Sequence, residues 1–272
     1  LEGTLIIDGQ NYLMENSVDG NVMTISPSTG SNGNIVYGNF RILGTGTLTA
    51  NRALLSIIGG ENFTGNIIIK NSRFNGNNKR YNGINLTNSA QSVFIWRSVI
   101  VNCVDGTNAV NGIRPFTTYP VQMIVENCII DNCYRVVRNS SQSYIYRNCA
   151  FTRIQRTTDK IYEPDNSTSI NCATDQATVG AGTDTNPVVN INIANEFVNT
   201  NVDDLTNGYK CKRSGTIYAL GAAPTLAENT TDIFGNPVSE PYEIGVGSER
   251  APRITTSGSA GTSTAIGCAV VF

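Results

Sequence analysis

Five nine-residue stretches repeat one pattern of polar and apolar positions. They begin at 34 (Asn-Ile-Val-Tyr-Gly-Asn-Phe-Arg-Ile), 66 (Asn-Ile-Ile-Ile-Lys-Asn-Ser-Arg-Phe), 92 (Ser-Val-Phe-Ile-Trp-Arg-Ser-Val-Ile), 122 (Gln-Met-Ile-Val-Glu-Asn-Cys-Ile-Ile) and 143 (Ser-Tyr-Ile-Tyr-Arg-Asn-Cys-Ala-Phe). Each opens polar, runs through three apolar residues, passes a two-residue step usually ending in Asn, and closes on an apolar residue three places later. The intervals are 32, 26, 30 and 21 residues. A repeat of 20 to 50 residues, one supersecondary unit per copy, marks a solenoid. Strand-like copies of unequal length predict a parallel β-helix whose coils differ in their loops.

Side chains alternate across a strand. If the closing residue of each copy (Ile42, Phe74, Ile100, Ile130, Phe151) points inward, so do Phe40, Ser72, Ser98, Cys128 and Cys149 two places earlier. On the strand before the step the inward pairs are Ile35/Tyr37, Ile67/Ile69, Val93/Ile95, Met123/Val125 and Tyr144/Tyr146. The chain must bend sharply at Asn39, Asn71, Arg97, Asn127 and Asn148. Asn tolerates the left-handed backbone of such a bend, and stacked Asn amides can bond along a column. A structural ladder is therefore expected at Asn39, Asn71, Asn127 and Asn148. Arg97 interrupts it, which predicts a kink or a wider bend there. A third strand precedes each copy, at 22–25, 54–57, 83–86, 112–116 and 135–138, each a short apolar run bounded by Gly or Asn. Thr4 to Gly9 reads as the first ordered strand. Helical periodicity is nowhere sustained, so the fold class is all-β, with three-strand coils.

After Cys149 the period decays. The small polar residues 172–187 read as a long loop, and the alternation over 188–198 as one or two late strands. Residues 1–199 are assigned to the β-helix, 200–252 to an irregular C-terminal capping segment, because the last coil would leave an open sheet edge, and 253–272 to a tail. That tail is rich in Ser, Thr and Gly but finishes Ala-Ile-Gly-Cys-Ala-Val-Val-Phe, an apolar strand expected to dock on its own solenoid or on a neighbouring chain by strand addition. Leu1-Glu2-Gly3 is an unusual start, and an upstream segment is expected.

The turn at 66–74, Asn-Ile-x-Ile-x-Asn-x-x-Phe, is similar to that of right-handed parallel β-helix proteins of the pectate-lyase-like superfamily, and the resemblance covers about residues 4 to 153. It implies a right-handed coil. It implies no single activity, since that scaffold hosts lyases, hydrolases, phage tailspikes and fibres, and surface adhesins. The run Asp232-Ile233-Phe234-Gly235-Asn236-Pro237, followed by Glu243-Ile244-Gly245-Val246, resembles the closing segment of bacterial and phage β-helix proteins, in which Asp-x-x-Gly-x-Pro precedes Asp-Ile-Gly-Ala. Here Glu243 stands for the Asp and Val246 for the Ala.

Charged residues make up 15% of the 272, against about 25% in a typical domain. Asn, Thr, Ser and Gly replace them, giving a neutral, hydrogen-bonding surface suited to exposed environments or to sugars. The net charge of −2 and the lack of a basic stripe argue against nucleic-acid binding, and no apolar run reaches the ~20 residues of a membrane span. Histidine is absent, which removes His-dependent triads and His-ligated metals. It also removes the Gly-His-Gly element of β-helix polygalacturonases. Seven Cys, none in a C-x-x-C pair, make a zinc site unexpected; no metal or cofactor is assigned. Cys128/Cys149 and Cys103/Cys133 share columns, close enough for bridges at a strand spacing of about 4.8 Å, or else small buried core residues.

Catalytic candidates are weak. Asp105 and Asp131 form the best carboxylate pair for a glycoside hydrolase. Lys70, Arg147, Arg153 or Lys160 would have to serve a uronate lyase as base. Lys70, Trp96, Glu126 and Arg147 hold equivalent outward positions on successive coils, and Glu126 beside Arg147 reads as a cross-strand ion pair. An exposed Trp96 would be the one outward aromatic able to stack a sugar, with Tyr119, Tyr134 and Tyr162 on loops nearby. Two function classes follow. The first is a non-catalytic structural or adhesive module, extracellular on a virion or cell surface, with a surface glycan or a neighbouring chain as partner. The second is a polysaccharide lyase or hydrolase acting on an acidic polysaccharide.

Overall fold

A computed structural model describes residues 4–26, 32–58, 63–87, 92–105, 110–115, 122–138, 144–156, 167–180, 182–225, 230–238 and 242–249. Three all-parallel sheets wind into one solenoid, with eight, seven and five strands among the described residues. The first sheet stacks Thr4–Asp8, Asn34–Gly38, Asn66–Lys70, Ser92–Trp96, Gln122–Glu126, Tyr144–Arg147, Thr168–Ile170 and Thr183–Thr185. The second stacks Leu13–Asn16, Arg41–Gly44, Arg73–Asn75, Val99–Val101, Ile129–Asp131, Ala150–Thr152 and Ala173–Thr174. Met23–Ile25, Arg52–Ile58, Tyr81–Thr87, Asn111–Pro115 and Arg135–Val137 make the third. Each of the first five coils takes one strand from the first sheet, then the second, then the third; coils are numbered below by their first-sheet strand. The fold is the expected all-β parallel β-helix, and no helix among the described residues is long and apolar enough to cross a membrane.

Stacking is in register. Ile35, Ile67, Val93, Met123 and Tyr144 are Cα partners in turn, as are Tyr37, Ile69, Ile95, Val125 and Tyr146. Both columns are buried and face the second-sheet column Ile42, Phe74, Ile100, Ile130 and Phe151 in one continuous core. Such side chains contribute about 1.5–3 kcal/mol each on burial. Cys103, Cys128, Cys133, Cys149 and Cys172 lie in the same core, and these five and Cys211 of the C-terminal segment are buried and free. Burial, and secondarily the stacked thiols of Cys128 and Cys103, push Cys149 and Cys133 well above the usual thiol range. Of the two sequence readings for Cys128/Cys149 and Cys103/Cys133, the core one holds.

Between the first and second sheets the second to seventh coils each bend on a residue with positive φ: Asn39 (58°), Asn71 (49°), Arg97 (48°), Asn127 (51°), Asn148 (50°) and Asn171 (49°). Their backbone N–H groups donate to Lys70, Trp96, Glu126, Arg147, Ile170 and Thr185 of the next coil at 2.9–3.2 Å. Arg97 therefore neither kinks nor widens the bend, against expectation. A left-handed non-glycine residue costs about 1–2 kcal/mol; at Arg97 a buried ion pair described below offsets it.

The amide ladder is displaced from where the sequence puts it. Asn39 donates to Asp8, while Asn127 and Asn148 donate to backbone carbonyls of the C-terminal segment. Amide-to-amide bonds run along the second bend, where Asn102 donates to Asn75 (2.9 Å) and Asn132 to Asn102 (2.8 Å) and Asn78 (3.1 Å), while on the first bend Asn186 donates to Asn171 (3.1 Å) beyond the four expected positions. Asn102 and Asn132 are also left-handed, at 58° and 48°.

Two further expectations are corrected. Residues 172–187 are not one loop: Ala173–Thr174 and Thr183–Thr185 continue the sheets. Residues 188–198 hold a bridge at Val188 and a four-residue helix, Ile193–Glu196, capped by the Asn192 side chain, rather than late strands. The apolar strand of 253–272 lies outside the described residues.

Asn132→Gly should leave the protein more stable than Asn132→Ala by about 1 kcal/mol, because both lose the amide bonds but only Ala strains the left-handed backbone. The midpoints of urea unfolding measure the difference; equal midpoints, or a more stable Ala variant, would contradict the assigned bend.

Candidate functional site

The outward face of the second sheet and of the first bend is where the chemistry-bearing residues gather. Alternation puts Val99, Val101, Ile129, Asp131, Ala150 and Ala173 on that face, and bend geometry points Arg97, Asn127 and Asn148 beside it. All nine of these residues are buried. The described residues of 197–225, 230–238 and 242–249 fold back along the flank as a strap, and Phe197, Val202, Tyr209, Cys211, Ile217, Ile244 and Val246 form a second apolar cluster with Val99, Val101, Ile129, Ala150 and Ala173. The segment expected to plug the end of the last coil thus makes its described contacts sideways, from Arg41 of the second coil to Asn148 of the sixth.

Polar anchors fasten it. Arg97 and Glu243, both about 1% exposed, pair at 2.6 Å, and Arg97 also donates to the Val246 carbonyl. Ser248 donates to the other Glu243 oxygen. Asn127 donates to the carbonyls of Glu243 and Gly245, and Asn148 exchanges two 2.8 Å bonds with the Ala222 backbone. Arg73 donates to the carbonyls of Val202 and Gly208 and stands 5.6 Å from the Phe234 ring, which Lys210 approaches at 4.6 Å. Burial, with Arg41 nearby, brings the Arg73 guanidinium down to about 10.

The sequence-derived candidates fall into this frame one by one. Asp131 is fully buried; its carboxylate accepts from Thr152 (2.9 Å), from Arg153 Nε (2.8 Å) and Nη2, and from the Tyr209 hydroxyl. Burial first, then the adjacent carboxylate, push the Tyr209 hydroxyl up, so it stays a proton donor. Asp105 lies past the second bend and pairs with Arg80 at 3.0 Å. The two carboxylates thus lie on either side of the Asn102/Asn132 bend, each in its own ion pair. Glu126 is fully buried; one oxygen accepts from the Thr225 N–H (2.9 Å) and hydroxyl and lies 3.5 Å from Arg147, the expected cross-strand pair. Arg147 also donates to the Ala223 carbonyl. Lys70 lays its stem over Gly38, where an added Cβ would meet it at 3.3 Å.

Trp96 aligns with Lys70 and Glu126 as expected but is only 3% exposed, so it offers no indole face for a sugar. Tyr134 is half-buried beneath the Arg135 guanidinium, 5.7 Å from its ring. Tyr119, Tyr162 and Lys160 lie outside the described residues. A shallow groove of about 800 Å³ remains beside the outer edge of Arg153, walled by Ile191, Ile193 and Phe197.

Sequence reasoning missed Tyr209, Arg73 and Thr225 as strap contacts; nothing local marks a residue whose partner is roughly a hundred positions away. Arg97 and Glu243 did carry a signal, as the two places where a charged residue departs from its pattern. No family model matches the chain, and comparisons with curated proteins and with solved structures return no match.

Breaking the buried pair leaves one charge unpaired. Arg97→Asn and Glu243→Leu should each destabilise the fold by about 3–5 kcal/mol. The double variant should lose far less than the sum, since neither charge then remains. Denaturant unfolding of the four proteins checks this, and strict additivity would show that the two side chains do not interact.

Proposed function

We propose that this chain is a non-catalytic structural or adhesive β-helix, displayed outside the cell on a virion or cell surface as a fibre, spike or decoration component. One observation carries the reading: of the groups that the sequence offered for polysaccharide chemistry, Asp105, Asp131, Arg147 and Arg153 are already engaged in holding the strap or the coils together. Asp131 has four donors and no exposure, and Glu126 lies under Thr225. A general acid or base must reach its substrate within hydrogen-bond distance, and these groups are roofed by protein. The low charge and the Asn, Thr and Ser surface support exposure to solvent and to glycans. A glycan bound to this molecule would meet hydrogen-bonding side chains rather than the indole of Trp96.

Incubation with a panel of acidic and neutral polysaccharides should yield neither unsaturated uronate absorbance nor new reducing ends. Product release that disappears in Asp131→Asn or Lys70→Ala would replace this reading with the lyase or hydrolase alternative.

A further inference from the structure

Past the last first-sheet strand, the surface dips into a cavity of about 370 Å³ between residues 188–192 and 212–216. Glu196, the last residue of the short helix and only 2% exposed, lines it. Its Oε2 accepts from the Ile217 N–H at 2.9 Å and runs so close to Gly215 that a Cβ there would stand 2.7 Å away. Its second oxygen takes no hydrogen bond among the described residues. A buried carboxylate with half of its acceptor capacity unused is costly unless water or a ligand fills the gap.

The groups around Glu196 are free to donate and accept. The Lys212 ammonium gives one of its three protons to the Ala194 carbonyl at 2.6 Å. Asn192 accepts from the Ala194 N–H with its side-chain oxygen, which leaves its NH2 group to the cavity. Asn195, Ser214 and Thr216 are exposed, and their side chains have no partner among the described residues.

We propose that this cavity binds an uncharged segment of a glycan chain. A free cation would meet the Lys212 charge and a free anion the Glu196 carboxylate. An apolar ligand would strip water from both without replacing its hydrogen bonds. A sugar hydroxyl both donates and accepts, so it can give its proton to Glu196 and take one from Lys212 or Asn192. Val189, at 36% exposure, and half-buried Val188 offer apolar surface to the C–H face of a ring. A longer chain has somewhere to continue, because the 800 Å³ groove shares Ile191 and Asn192 with this cavity. That groove leads over Ile193 to Arg153, whose charge the Asp131 carboxylate already balances, so it too suits a neutral chain. The inference rests on the glycan-contacting side of the proposed function and gives that contact an address. Enzymatic product release would overturn the parent reading, whereas the outcomes below bear on the site alone.

Neutral oligosaccharides of glucose, galactose, mannose and N-acetylglucosamine, with oligogalacturonates beside them, test the site by amide chemical-shift titration of the full chain. At least one neutral series should saturate and shift the amides of Asn192, Asn195, Lys212 and Thr216. Glu196→Gln should weaken that binding about tenfold or more, because the charged acceptor is lost. Since Glu196 also holds the Ile217 N–H, Ser214→Trp supplies a second variant. It fills the cavity from an exposed position and should abolish the shifts while leaving the urea midpoint unchanged. Binding by none of the neutral series, binding by oligogalacturonates alone, shifts confined to another surface, or affinity untouched in either variant would each overturn the proposal.

Discussion

Hydrogen bonding between successive coils requires each backbone to turn the same corner at the same place. The corner is a single residue at φ near +50°, six times over from Asn39 to Asn171, with its N–H given to the next coil. Everything else follows from that repetition. It keeps the strands in register, so inward side chains meet their equivalents and build one core. It also sends the bend side chains outward in a row beside the second sheet, which gives the C-terminal segment a regular series of polar groups to grip.

The strap converts that row into stability. Asn127, Asn148 and Arg97 each give their side chain to it, and the apolar outer face of the second sheet gains a cover. Arg97 illustrates how a local penalty is tolerated. Its backbone strain of about 1–2 kcal/mol is held in place by a buried pair that exists only because Glu243 arrives from 146 residues away. Glu243, one methylene longer than the Asp of the related motif, reaches that guanidinium. The same cover removes the functional surface that the sequence hinted at, because Asp131, Glu126 and Trp96 lie on outward positions that the folded chain buries.

The solenoid was legible through about residue 153 because its rule is local: period-two alternation, then Asn, then an apolar residue. The corners at Asn171 and, after the last first-sheet strand, at Asn186 obeyed the rule but hid it. Asn171-Cys172 repeats Asn148-Cys149, yet the strands around it are Thr-Ser-Ile and Thr-Asp-Thr, whose polar residues read as loop. The second-bend ladder was missed because Asn75, Asn102 and Asn132 stand outside the repeat used for alignment. The candidate residues were mostly placed on the correct face, but whether that face was open depended on contacts between positions far apart in sequence, about which a repeat pattern says nothing.

The central claim is that coils and strap are one cooperative unit, with the outward carboxylates locked between them. Native-state hydrogen exchange tests it most directly. The account predicts that the amides of Tyr209, Cys211 and Gly245 in the strap open with the same free energy and denaturant dependence as those of Asn127, Ile129 and Ala150 beneath them. Strap amides that exchange through a separate, low-energy opening while the coils stay protected would contradict it, and would return Asp131 and Glu126 to the solvent as available chemistry.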